Sequence, residues 1–157
     1  IWLVVKEYSE KIYEMEYKRQ ESLLLQAERL SVVQTLLTTI FFSQMEFLCS
    51  KWTYDIGLLK ILLMLVFIIV MFSLILLLLA MGRYKYMALE DIDINKICKT
   101  DGQVSTKDIC IMWYERYSEL AENLKSNNDV RVRLVQIDMY LLIVMATLIS
   151  MLFGCIV

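Results

Sequence analysis

The sequence predicts an all-α integral membrane helical protein with about three transmembrane helices and long cytoplasmic helical extensions, and three observations carry that expectation. Twenty consecutive residues, Ile61 to Ala80, hold one hydroxyl, Ser73, and no charge; as a helix they are about 30 Å long, the thickness of a bilayer's hydrocarbon core. The chain has no proline and four glycines, Gly57, Gly82, Gly102 and Gly154, placed as punctuation between helices. It is 59% hydrophobic yet 22% charged, with the charges in blocks apart from the apolar runs.

Residues 1–30 carry Val5, Tyr8, Ile12, Met15, Leu23, Ala27 and Leu30 at roughly helical spacing, with Lys6, Glu7, Glu10, Lys11, Glu14, Lys18 and Arg19 between them. That pattern predicts a soluble amphipathic helix. From Ser31 to Cys49 the charges nearly stop, giving a run long enough to span but polar for a span. Ser31, Gln34, Thr35, Thr38, Thr39, Ser43 and Glu46 fall three or four apart and form a polar stripe on a helix, beside Val32, Leu36, Ile40, Phe41 and Leu48. Lys51 to Ile56 is expected to be a tight turn at the far interface. It makes 31–49 and 58–81 a transmembrane hairpin within 31–81.

Residues 82–135 are expected to be a cytoplasmic helical segment, with a short helical insertion at about 87–104 and a turn at Thr100 to Gln103. Ser105, with Asp108 three residues on, is the N-cap signature of a further helix carrying Ile109, Met112, Trp113, Leu120 and Leu124. Ser126, Asn127, Asn128 and Asp129 are poor helix formers and are expected to kink or break it. Residues 136–157 form the third expected transmembrane helix, with Asp138 one turn inside its start.

Lysine and arginine number five in residues 1–30 and nine in 82–135, against Lys51 and Lys60 near the 50–60 turn. The positive-inside rule then puts the N-terminus and the middle segment in the cytoplasm, and a bacterial inner (plasma) membrane is the expected location. Nine acidic residues match the nine basic ones in 82–135, and the net charge is −2, so nucleic acid is not an expected partner. With no histidine and no Cys-x-x-Cys among Cys49, Cys98, Cys110 and Cys155, no metal site and no cofactor are expected. The cysteines fit reduced thiols facing the cytosol, with a Cys98–Cys110 disulfide as the alternative. Glycine-rich phosphate loops and nucleophile elbows are also missing from the sequence, so catalysis is not expected. The absent initiator methionine and the apolar Val157 point to a longer native chain.

Two readings of the 31–46 stripe stand side by side. Polar groups in a span need partners, and across several subunits such a face lines a water-filled path, with Glu46 favouring cations at its mouth. Equally, serine and threonine bond their own helix or its neighbour and hold a bundle together. Asp138 is an ionisable membrane residue and so a candidate for transport or gating; after Arg131 and Arg133 it is also suited to headgroup level, paired with a cation. Arg131 and Arg133 themselves are expected to be cytoplasmic anchors. Trp113, Tyr114 and Tyr117 form a cytoplasmic packing or partner surface.

Residues 14–30 resemble a segment that precedes a membrane hairpin in many small bacterial membrane proteins, Glu-x-x-Arg-x-x-Ser-Leu/Ile-x-x-Lys-Ala-x-x-Leu. Glu16, Arg19, Ser22, Leu23, Ala27 and Leu30 match it, and Gln26 departs from it where lysine is usual. Residues 117–149, with Tyr117, Asn127 and Asn128 ahead of a charged turn and a spanning helix, resemble the last part of such proteins. The family is that of transmembrane effectors of antiphage systems, SLATT-type and cyclic-nucleotide-responsive. The resemblance implies a module that oligomerises on a signal and breaches the inner membrane. Expected partners are therefore the lipid bilayer, further copies of the chain and a cytosolic partner protein. The other class that fits is a non-conducting membrane anchor or scaffold subunit that recruits a cytosolic partner or accompanies a larger membrane complex.

Overall fold

The structure is a computed structural model that describes residues 2–52, 56–82 and 105–154. Four helices account for them: α1 (Trp2–Ser43), α2 (Met45–Lys51), α3 (Ile56–Met81) and α4 (Thr106–Gly154). Among the described residues there is no strand. The expected insertion at 87–104, the turn at 100–103, Cys98 and Cys155 lie outside the described residues.

Two helices, α3 and α4, are long and apolar enough to cross a membrane, and α1 with α2 makes a third candidate if the bent pair counts as one. Of the most apolar stretch of α3, and likewise of α4, 28% is buried within the chain. Most of that apolar surface therefore faces outward.

Helix α1 does not stop near residue 30; it runs 42 residues, about 63 Å. It ends at Gln44 rather than at the expected turn after Cys49. The Gln44 amide is shared between the carbonyls of Ile40 and Phe41, at 3.2 and 3.3 Å. Its ψ of 3° departs from helical geometry, and α2 leaves at 42° to α1. At Trp52, with ψ 115°, the backbone turns extended and closes α2.

Helix α4 is likewise unbroken for 49 residues. Ser105 caps it as its sequence position predicts: its hydroxyl accepts the Lys107 amide at 3.2 Å and its carbonyl the Asp108 amide at 2.9 Å. The break expected at Ser126–Asp129 is absent for a physical reason. Asn128 turns its amide away from its own backbone and donates to the carbonyl and carboxylate of Glu16, at 2.8 and 3.0 Å, while Asp129 accepts from Arg19 at 2.8 Å. With those side chains engaged elsewhere, their competition with the helix backbone disappears.

The chain divides into two compact units, and α1 and α4 each contribute to both. Unit 1 contains, among the described residues, 2–22 and 105–130. Its interior holds Cys110, Leu120, Ala121 and Leu124 with the polar Ser9, Gln20 and Asn128. Tyr8 and Met15, expected on the packed face of α1, are 65% and 70% exposed. The inward face is instead the polar and aromatic one.

Unit 2 contains 23–52, 56–82 and 131–154. One apolar cluster gathers Phe41, Leu48, Leu59, Val66, Val70, Leu142, Met145, Ile149 and Leu152. A second joins Ala27, Leu77, Ala80 and Val135. All three long helices bury residues in alternating steps of three and four. In α4 the series is Ala121, Leu124, Asn128, Arg131, Val135, Asp138, Leu142, Met145, Ile149, Leu152. In α3 it is Val66, Val70, Ser73, Leu77, Ala80. Helix α1 follows from Ser9 through Gln20, Leu23, Ala27 and Gln34 to Phe41, with half-buried Tyr13, Glu16, Leu30 and Leu37 completing the series. This seven-residue repeat is the seam that lets side chains of one helix enter the spaces of another. At Gln44 the α1 series slips by one, since the next inward residues are Met45 and Leu48.

Candidate functional site

Polar residues occupy seam positions in all three helices of unit 2, and they lie at one level. In α1, Gln34 is 3% exposed and donates its amide to the Val70 carbonyl of α3 at 3.1 Å. One turn further along the same face of α3, the Ser73 hydroxyl donates to Asp138 of α4. Asp138 is fully buried. The layer has Phe41, Val66, Val70, Leu142 and Met145 on one side and Ala27, Leu77, Ala80 and Val135 on the other. Ser73 is seven residues from Ala80, about 10 Å into the apolar run.

This placement corrects the expectation for Asp138. The carboxylate is not at a helix start beside a cation: it faces Ser73 inside the bundle, because residue 138 continues the inward series Arg131, Val135, Asp138, Leu142. Arg131 is not a plain surface anchor either. It is 2% exposed and donates to the Gly82 carbonyl at 3.2 Å. That contact gives the C-terminal end of α3 a cation, where helix carbonyls lack internal donors. Arg133 is exposed, as an anchor should be.

The expected stripe of residues 31–46 splits along its length. Gln34 lies on the inner edge, and Thr38 is half-buried with its hydroxyl shielded from solvent. Thr35, Thr39, Ser43 and Glu46 are exposed. Ser31, Thr35, Thr39 and Ser43 each donate to a carbonyl of their own helix, of Glu28, Ser31, Thr35 and Ile40 respectively, at 2.8 Å.

No protein-family model, curated protein or solved structure matches this chain.

In unit 1, two of the three aromatic candidates pack inward. Trp113 stacks on Tyr117 at 5.6 Å between ring centroids, Tyr117 meets Tyr13 at 5.8 Å, and Lys6 lies over Trp113 at 5.9 Å. Burial raises the phenol pKa of Tyr13 and of Tyr117, reinforced for Tyr13 by Tyr17 and for Tyr117 by Glu10, Tyr13 and Glu14. Tyr114 instead lines a groove of about 220 Å³ with Tyr8, Ile12, Glu16, Ser118 and Lys125 among its walls. Glu16, a wall of that groove, also forms with Arg19, Asn128 and Asp129 a clamp between α1 and α4. Among the described residues no cluster of three or more His, Cys, Asp or Glu is placed to hold a metal ion.

Sequence reasoning missed Ser73, Asn128 and Arg131 as inward residues. Their signal was the three-four spacing with Asp138, visible once polar residues are admitted to the seam.

Proposed function

We propose that the chain is an oligomeric subunit of a bacterial membrane effector that alters inner-membrane permeability, with unit 2 in the bilayer and unit 1 in the cytoplasm as the part that receives the signal. The observation that carries this reading is the outer edge of the stripe. Thr35, Thr39, Ser43 and Glu46 are exposed on a segment whose other exposed residues are Val32, Val33, Leu36, Ile40, Phe42 and Gln44. An acidic group and a line of hydroxyls on a lipid-facing helix favour contact with another protein surface over contact with acyl chains. Copies that meet along this edge gather it into a polar path, with Glu46 towards one mouth. The resemblance to antiphage effectors supports the same reading and supplies the biological setting, defence against phage.

Dye release from proteoliposomes tests it. The wild-type chain should release dye in proportion to its surface density, and joint replacement of Thr35 and Thr39 by valine with Glu46→Leu should suppress release. Tight vesicles at every density, or release indifferent to those replacements, would sink the permeability reading.

A second reading, a non-conducting anchor or scaffold subunit, is favoured by one observation. Thr35, Thr39 and Ser43 already satisfy their hydroxyls on their own helix, so they need no neighbour. On this reading exposed Tyr8, Ile12 and Met15 meet a cytosolic partner. The intact mass in nanodiscs separates the two: a monomer favours the anchor.

A further inference from the structure

The polar layer of unit 2 leaves two oxygens without a hydrogen-bond partner among the described residues: Gln34 Oε1 and Asp138 Oδ2. Gln34 and Asp138 are themselves almost wholly buried. Gln34 is tied to Val70 and Asp138 to Ser73, and Val70 and Ser73 are neighbours one turn apart on α3. The Gln34 and Asp138 oxygens therefore come from side chains held around one turn of α3.

Both are oxygens able to accept, and one belongs to a carboxyl group. No Asp, Glu, Lys or Arg occurs in 30–45 of α1, 61–81 of α3 or 139–154 of α4. On its own helix the nearest charged residues are Arg133, which is exposed, and Arg131, whose guanidinium is engaged at Gly82 and lies two turns away, about 10 Å along the axis. At this level the three helices supply one acidic group and no basic one. A buried carboxylate in apolar surroundings demands a counter-charge.

We propose that this layer is a binding site for one small monovalent cation, a proton or Na⁺, taken up at Asp138 Oδ2 with Gln34 Oε1 as a neutral oxygen partner. A single carboxylate and a neutral oxygen suit one positive charge; Ca²⁺ and Mg²⁺ sites use more acidic ligands or retained water. Bound charge neutralises the layer and ties α1 to α4 across α3. Occupancy then sets how firmly the three helices are joined at that level. The inference rests on the bilayer placement of unit 2 but not on conduction.

The test uses the full chain in nanodiscs of zwitterionic lipid, with two arms. In the first, thermal unfolding is followed at fixed pH while NaCl replaces choline chloride at constant ionic strength. A Na⁺ site gives a melting temperature that climbs by a constant step per decade of Na⁺ above the dissociation constant. In the second, Na⁺-free samples are examined for the infrared band of a protonated carboxyl group. A proton site gives such a band, and Asp138→Asn removes it.

Asp138→Asn should also abolish the Na⁺ response. Should that variant fail to fold, Gln34→Leu keeps the carboxyl group and should weaken Na⁺ binding by about tenfold or shift the band. An ionised Asp138 with no Na⁺-specific stabilisation overturns the proposal. Vesicles that stay tight while the site responds sink the permeability reading alone; leaking vesicles with an unresponsive site sink this inference alone.

Discussion

The side-chain amide of Asn128 lies 2.8 Å from the backbone carbonyl of Glu16 and 3.0 Å from its carboxylate. One fully buried residue of α4 thus reads both the backbone and the side chain of α1. Replacement by leucine removes the donor from an acidic group and should cost about 1–3 kcal/mol. Asn128→Asp should cost more, because it sets a second negative charge against Glu16. Thermal melting followed by circular dichroism checks the order: wild type above Asn128→Leu above Asn128→Asp.

Arg19 and Asp129, 2.8 Å apart, are both partly exposed. Water and salt screen such a pair, so a double-mutant cycle with Arg19→Met and Asp129→Asn should give a coupling of about 0.5 kcal/mol. Repeating the cycle in 1 M salt should shrink it towards zero. A coupling of several kcal/mol, unmoved by salt, would mean the pair is buried in the assembled protein.

Gln34 should separate packing from polarity. Without Na⁺, Gln34→Leu keeps volume while removing a buried amide whose oxygen then has no partner, so stability should change by less than about 1 kcal/mol in either direction. Gln34→Ala opens a cavity between α1 and α3 and should cost about 2 kcal/mol or more. Denaturation in mixed micelles, with helix content as readout, measures both.

Alkaline pH should loosen unit 1 first. Tyr13 and Tyr117 have pKa values raised above the ordinary 10.0 by burial. Each therefore holds its proton more tightly folded than unfolded. Their contribution is fully present below pH 10 and is lost as pH rises through the raised folded values. Tyrosinate absorbance and helix content should change together above pH 10, and the joint variant Tyr13→Phe, Tyr117→Phe should flatten that part of the stability curve.

Helix content and the apolar stretches were legible in the sequence because they depend on local residue type. The run from Ile61 to Ala80 needs no partner to declare itself, and neither does the Ser105 cap. The inward faces were hidden for a specific reason. In a chain whose outward surface is also apolar, hydrophobicity does not distinguish the packed side, as exposed Ile68 and buried Val70 illustrate. In unit 1 the inverse holds: Ser9, Glu16 and Gln20 face inward while Tyr8 and Met15 face out. Asn128 looked like a helix breaker because its engagement with Glu16 is 112 residues away in sequence. Asp138 looked peripheral because nothing local reveals Ser73 across the interface.

The seven-residue repeat makes length in α1 and α4 come in fixed units. Deleting one residue between Leu23 and Gln34 turns everything beyond it by about 100° and carries Gln34 off Val70. Deleting seven residues restores the phase. An engineer who shortens or lengthens these helices while keeping their polar marks in step must cut or splice in sevens, and in both helices at once.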